Sequence, residues 1–228
     1  MNDRLLEITF SVEHENCWTN LVGKYIVKTL RFSVDTERNS IRSLIVVDKK
    51  YKDLMNKIKR NNSFIGYSSI SLTNDNKKIL FDFRKRYKNS VMDIINSVDG
   101  IILDGFKYDG KEYWRILLYE SYINELREKL RSKGNVEFIG SHELNVTEDE
   151  LTPYELKTLI LAYKNGYFDF PRRIKSDKIS KLINISKSTF TYHLRSAESR
   201  IIKRYIDDLK FYNVINNISQ QEEERKDS

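Results

Sequence analysis

Between residues 187 and 199 the chain spaces its polar side chains in a way that suits recognition chemistry. At about 100° per residue on a helix, Ser188, Tyr192, Arg195 and Ser199 fall on one stripe, with Lys187 and Thr191 at its flanks. An Arg can give two parallel hydrogen bonds to a guanine edge. A Lys offers a point charge to phosphate, and Ser or Thr hydroxyls donate or accept as the partner requires. Phe190, Leu194, Ala197 and Ile201 fall on the opposite stripe, which is apolar and must pack against something. Arg172 and Arg173, upstream of this helix, complete a set of eight side chains suited to phosphates and base edges. Tyr192 can equally serve as a half-exposed packing residue, and Arg195 as a solvated helix charge.

The residues before this stripe supply the elements that would hold it. Thr152-Pro153-Tyr154-Glu155 is a capping box with Pro at the first helical position. Leu156, Leu159, Ile160 and Tyr163 are expected to form the buried face of that helix, and Gly166 its left-handed stop. An aromatic connector, Tyr167 to Arg173, contains Pro171, which prevents simple continuation of the helix. A second helix is expected from Ser176 to Ile183, burying Ile179, Leu182 and Ile183. Asn184 suits left-handed backbone, Ile185 plugs the turn, and Ser186 can cap the third helix. Short helix, tight turn and capped helix make the helix-turn-helix spacing that sets a second helix in the major groove of double-stranded DNA. Charge agrees with that. Residues 151–210 hold 13 Lys and Arg against 6 Asp and Glu, the whole of the formal net charge of +7. A neutral body with one basic module is the electrostatic pattern of a nucleic-acid binder.

The stretch from Leu151 to Leu209, roughly a quarter of the chain, resembles the helix-turn-helix domain of the archaeal bacterio-opsin activator (Bat-type) family. The likeness rests on Leu151-Thr152, Gly166-Tyr167-Phe168-Asp169 with Pro171-Arg172, Ile185-Ser186-Lys187-Ser188-Thr189, and His193-Leu194-Arg195 with Ala197-Glu198. It implies an archaeal transcription regulator with a variable N-terminal sensing domain. Asn184 stands where the family usually has Gly, and Ser180 where a small Ala is common. The N-terminal half is similar to that of small two-domain members, including the Cys17-Trp18 pair.

That half alternates strand and helix patterns. Leu6, Ile8, Phe10 and Val12 mark one face of a strand. Strands are expected at 25–34, 41–47, 64–72, 78–84, 101–108, 113–118 and 136–144, and helices at 51–60, 90–97 and 122–131. A weak helix is expected near 18–23, and Asp109-Gly110 signals a hairpin. Residues match at an offset of 73–74: Phe32 with Phe106, Arg42 with Arg115, and Phe64-Ile65-Gly66 with Phe138-Ile139-Gly140. This repeat predicts an α+β chain: tandem ferredoxin-like βαββαβ units at about 1–74 and 75–147, then an all-α helix-turn-helix domain at 148–212. The acidic segment Asn145–Glu150 separates the two textures, and 213–228 is expected to be a disordered tail.

Other readings fall away or stay open as alternatives. One Cys excludes a disulfide framework and a Cys-rich zinc site, and fits a reducing cytoplasm. No apolar run reaches the roughly 18–20 residues of a membrane span, and the strand pattern beginning at Leu5 leaves no expectation of a signal peptide. His14, Cys17 and His142 read as ordinary residues rather than a metal site, and His193 as a structural hydrogen-bonding residue or a phosphate contact rather than a catalytic one. Neither a cofactor nor a catalytic constellation is expected, so the chain does not read as an enzyme. The expected protein is a sequence-specific DNA-binding regulator, with a small-molecule effector at its N-terminal domain. Homodimerisation is expected through the N-terminal sheets or through the apolar stripe Ile202, Tyr205, Ile206 and Leu209, a stripe that can equally pack on the chain's own N-terminal domain. The alternative is an RNA-binding or ligand-binding ferredoxin-like protein, its RNA version needing exposed aromatics and cations such as Phe81, Phe83, Arg84 and Arg86.

Overall fold

Strand periodicity and short turns account for most of the N-terminal architecture. The structure, a computed structural model, describes residues 3–15, 17–144 and 150–224, excluding the side chains of Lys210 and of 213–224. The chain divides into two compact units, 1–144 and 145–228. Residues 145–149, most of the expected boundary segment, lie outside the described residues.

The first unit runs β1 (Leu5–Glu13), a 3-10 turn (Trp18–Leu21), β2 (Val27–Asp35), β3 (Ser40–Asp48), α1 (Asp53–Lys59) and β4 (Phe64–Leu72). It continues with β5 (Lys78–Arg86), α2 (Val91–Asn96), β6 (Ile101–Tyr108), β7 (Lys111–Tyr119), α3 (Ile123–Lys133) and β8 (Asn135–Glu143). The weak helix expected near Trp18 is a single 3-10 turn. Asp109 and Gly110 both take positive φ, 45° and 80°, as the tight β6–β7 hairpin requires.

The tandem arrangement needs correction. All eight strands form one antiparallel sheet, ordered β4-β5-β3-β2-β6-β7-β1-β8, rather than two separate ones. Two self-contained units would set β1 between β4 and β3, and β5 between β7 and β8. Here β1 and β5 have changed places. The reason lies in the connection from β4 to β5. Only residues 73–77 join them, with Asn76 at φ 57°, and such a short link makes its strands antiparallel neighbours. β5 therefore pairs with β4 and β3 and fills the position that β1 would have taken.

Each half of the sheet has its own core. Leu6, Ile8, Phe10 and Val12 of β1 and Trp114, Ile116 and Leu118 of β7 pack with Val91, Met92 and Ile95 of α2 and Leu126 and Leu130 of α3. Under the other half, Ile45, Val47, Ile79, Phe81 and Phe83 pack with Trp18 and with Leu54, Met55 and Ile58 of α1. Phe81 and Phe83 are fully buried, stacked on each other at 4.9 Å. They offer no platform for bases, and the RNA-binding alternative loses the aromatics it needed. The repeat reappears in the ion pairs. Arg42 of β3 grips Asp82 of β5 through Nε at 2.9 Å, and Arg115 of β7 lies 3.8 Å from Glu7 of β1.

The second unit contains α4 (Pro153–Lys164), α5 (Ser176–Leu182) and α6 (Lys187–Glu224). Residues 213–224, expected to be a disordered tail, continue α6 as helix, while 225–228 lie outside the described residues. No helix among the described residues is long and apolar enough to cross a membrane.

Candidate nucleic-acid interface

Capping fixes where each helix of the second unit begins. Thr152 Oγ1 accepts from the Glu155 amide at 3.3 Å, and Glu155 Oε2 accepts from the Thr152 amide at 2.8 Å. Both halves of the expected capping box are therefore made. Glu155 does more than cap. It is buried, accepts from the Ser196 hydroxyl on α6 and lies 3.5 Å from Arg200 Nε, so one carboxylate ties α4 to α6. These partners hold its carboxyl below the usual range, the Ser196 hydrogen bond first among them.

The buried face of α4 is rotated from the expected one. Glu155, Thr158 and Ala162 are buried with Leu159 partly so, while Leu156, Ile160 and Tyr163 are exposed. Thr158 and Ala162 are small, so α6 can approach closely on that side, which an apolar count alone does not reveal. Similarly Ile179 and Ser180 are the buried residues of α5, and Leu182 is exposed. Gly166 ends α4 at φ 73°. Tyr167 then packs edge-on to Phe190 at 5.8 Å, which anchors the connector to the inner side of α6.

The turn between α5 and α6 is built as the sequence indicates. Asn184 takes φ 57°, Ile185 packs on the core, and Ser186 Oγ accepts from the Thr189 amide at 3.0 Å. Phe190 and Leu194 are buried against Ala162 and Ile179, and Ala197 is buried as well. Ile201, expected on the same stripe, is exposed. It lies past the end of the core cluster around Phe190.

With the inner face set, the outer face follows. Lys187, Ser188, Tyr192, Arg195 and Ser199 are all exposed, and Tyr192 keeps 70% of its surface. Thr191 is half-buried and its hydroxyl donates to the Lys187 carbonyl at 2.9 Å, so it offers chiefly its methyl group. Ser188 Oγ lies 2.7 Å from Ser186 Oγ within the cap. Arg172 stacks over the Tyr167 ring at 4.5 Å, and Arg173 pairs with Asp169. The helix residues thus share one exposed face, and the two connector arginines are held by neighbours of their own. Sequence reasoning missed Glu155 as a link between helices. The signal was its place in the capping box together with Ser196 and Arg200 on the following helix.

A second cluster lies in the first unit. Cys17 Sγ is 3.2 Å from Glu112 Oε1, and His14 Nε2 is 3.5 Å from the same oxygen. His142 is elsewhere, 3.6 Å from Glu7. Trp114 Nε1 donates to Glu112 Oε2 at 2.9 Å, and Lys107 Nζ donates to Thr29 Oγ1 at 3.0 Å. Burial disfavours a charged Glu112, but Lys85, His14 and Lys107 more than offset it and hold the carboxyl well below its ordinary range. Burial likewise disfavours a charged His14, and Cys17 and Glu112 overcome that, raising it to about 10. For Lys107 burial prevails over the attraction of Glu112, and its value falls to about 8. The cluster borders a cavity of about 210 Å³.

Comparison with known proteins bears on the second unit. Residues 151–203 match the family described as "HTH DNA binding domain". The C-terminal unit carries a Bat-type helix-turn-helix domain. The transcriptional regulator NarO of Haloferax volcanii is 36% identical over 62 residues, 27% of this chain and 29% of that protein. The bacterioopsin transcriptional activator of Halobacterium salinarum is 26% identical over 96 residues, 38% of this chain and 14% of that protein. The chain therefore spans less than a third of the length of either relative. Within that matched stretch, α5 and the start of α6 are the two helices on either side of the Asn184 turn.

Proposed function

We propose that the chain is a sequence-specific DNA-binding transcription regulator that sets the first turns of α6 in the major groove. The observation that carries this reading is the division of α6 into a buried Phe190–Leu194–Ala197 face and an exposed face bearing Lys187, Ser188, Tyr192, Arg195 and Ser199, within the stretch that matches the family. Lys187, Arg172 and Arg173 supply charge for phosphates. Ser188, Thr191, Tyr192, Arg195 and Ser199 supply contacts to base edges, the Thr191 methyl among them. The regulator acts as a homodimer, because a single small module seldom buries enough surface for tight, specific binding. Ile202, Tyr205, Ile206 and Leu209 recur at helical spacing and are exposed, which supports pairing along α6. The first unit responds to a ligand and passes the signal to the second.

Selection of bound fragments from random DNA by the purified chain tests the reading. The expected result is a site with two similar halves whose centres lie about 34 Å, or a multiple of it, apart. Arg195→Ala should then lower affinity for that site by about 1–3 kcal/mol and relax specificity at one base pair. An equal loss on all sequences would make Arg195 a phosphate contact. No selected site at low salt would sink the proposal.

A further inference from the structure

DNA recognition does not use the buried cluster of the first unit. His14 follows the last residue of β1, Cys17 stands just before the 3-10 turn, and Glu112 points inward from β7. Their donor atoms lie within 4.8 Å of one another. A tetrahedral ion with bonds of about 2.0–2.3 Å needs ligand atoms roughly 3.3–3.5 Å apart. The Cys17–Glu112 and His14–Glu112 separations, 3.2 and 3.5 Å, lie close to that requirement, and His14 and Cys17 are within 4.8 Å of each other.

Two further observations point to a ligand. The His14 side chain is only 8% exposed, yet Nδ1 has no hydrogen-bond partner among the described residues and Nε2 faces the Glu112 carboxylate at 3.5 Å without a well-formed hydrogen bond. Leaving such a group unsatisfied is costly, and coordination would satisfy it. Glu112 is also oriented. Trp114 Nε1 occupies Oε2, leaving Oε1 toward His14 and Cys17, much as outer partners orient the ligands of known metal sites. Gly134 keeps the site tight: a Cβ there would come within 2.1 Å of the Glu13 carbonyl and 3.0 Å of His14 Cα.

We propose that His14, Cys17 and Glu112 bind a transition-metal ion of the Zn2+ class, with its fourth position opening on the neighbouring cavity. Sulfur and imidazole nitrogen select a borderline-soft ion over Mg2+ or Ca2+, which take oxygen ligands. Two buried lysines, Lys85 and Lys107, oppose a bare cation. However, a thiolate and a carboxylate cancel the charge of a divalent ion, and the lysines then favour an anion at the fourth position. Lys107 is already held by Thr29 and by the Trp114 ring at 4.7 Å. Lys85, Arg86, Lys88 and Lys133 line the cavity and suit the same anion. The site stands independently of the DNA-binding reading.

Chelator-stripped, untagged full-length protein titrated with Co2+ tests this directly. The chain has one Cys, so a near-ultraviolet thiolate-to-Co2+ band can arise only from Cys17. Expected are one Co2+ per chain, that band with visible bands of a tetrahedral ion, and loss of both on adding Zn2+. His14→Gln and Glu112→Gln should each weaken Co2+ binding at least tenfold, with apo circular dichroism confirming their fold. In wild-type protein, Zn2+ should slow alkylation of Cys17, a readout that needs no variant. Absence of a thiolate band at saturating Co2+, or alkylation unchanged by Zn2+, would overturn the assignment.

Discussion

Replacing Phe190 by Ala tests which face of α6 is buried. Phe190 is fully buried among Ala162, Ile179 and Leu194, with Tyr167 edge-on at 5.8 Å. Truncating such a ring costs about 3–5 kcal/mol. A unit of this size has a stability of roughly 4–12 kcal/mol at 0.05–0.15 kcal/mol per residue. The variant should therefore lose a large share of it, lowering the melting temperature by on the order of 15–30 °C. The two units can be followed separately. Trp18 and Trp114, the chain's two tryptophans, both lie in the first unit, so fluorescence reports that unit alone. Far-ultraviolet circular dichroism at helical wavelengths is dominated by α4, α5 and α6. The dichroism transition should shift and the fluorescence transition should not. Leu156→Ala is the matched control, since Leu156 is exposed and should change stability by no more than about 0.5 kcal/mol. Equal losses from the two variants, or no loss from Phe190→Ala, would refute the packing described for α4 and α6.

The titrations of the first unit give two further expectations for metal-stripped protein. Glu112 is held below its unfolded value of 4.5, so its contribution is full above that pH and is lost as pH falls below it, at up to about 1.4 kcal/mol per pH unit. Glu112→Gln should flatten this acid limb in urea melts followed by Trp fluorescence, and an unchanged limb would contradict the assignment. His14 is raised from 6.5 to about 10, so its contribution is full below 6.5 and declines as pH rises toward 10. Lys107, lowered from 10.5 to about 8, works the other way, adding stability as pH rises from 8 to 10.5. Between pH 6.5 and 8 the His14 effect acts before that of Lys107 sets in, so stability should fall there in wild type and fall less in His14→Gln.

Much of this was legible in the sequence because local rules decided it. The Thr152–Glu155 box, the left-handed Asn184 and the Ser186 cap depend on neighbours within a few residues, and each is found where its spacing places it. The β1 and α1 faces, Leu6–Ile8–Phe10–Val12 and Leu54–Met55–Ile58, are buried as their periods require. What was not legible involves choice of partner. Alternation states which face of a strand is buried, not which strand lies beside it. The exchange of β1 and β5 was therefore invisible in the pattern, although the short 73–77 link between two strands did contain the signal. On α4, Leu156, Ile160 and Tyr163 outweigh Thr158 and Ala162 in any hydrophobic count. Close approach to α6 nevertheless favours the small residues, and the sequence does not state that distance. Glu112 escaped notice because it lies 95 residues from Cys17, and only the sheet brings them together.

The strand exchange also explains why a polar cluster forms where it does. β1 and β5 occupy matching positions in opposite halves of the sheet, with four strands between them, and the Arg42–Asp82 and Arg115–Glu7 pairs repeat across the midline. In two self-contained units the end of β1 would meet only the elements of its own half. With the strands exchanged, the chain leaving β1 must return to β2 and the chain leaving β5 must reach α2, so both cross toward the centre of the sheet. The cavity records that crossing. It is lined by His14 and Cys17 after β1, by Lys85 and Arg86 at the end of β5, by Ser90 at the start of α2, and by Glu112 of β7. Opposite charges from the two halves therefore meet in one buried place, and neither half can complete the cluster alone. A ligand bound there would touch both halves at once. The two halves are also joined by the β2–β6 pairing and by the buried cluster, to which β5 brings Lys85 and β7 brings Glu112. The first unit should therefore unfold in one cooperative step rather than two, and Trp18 and Trp114, one in each half, should lose their native fluorescence together. Two resolved transitions in single-tryptophan variants, with Phe replacing the other Trp, would show the halves to be independent and the shared cluster not to couple them.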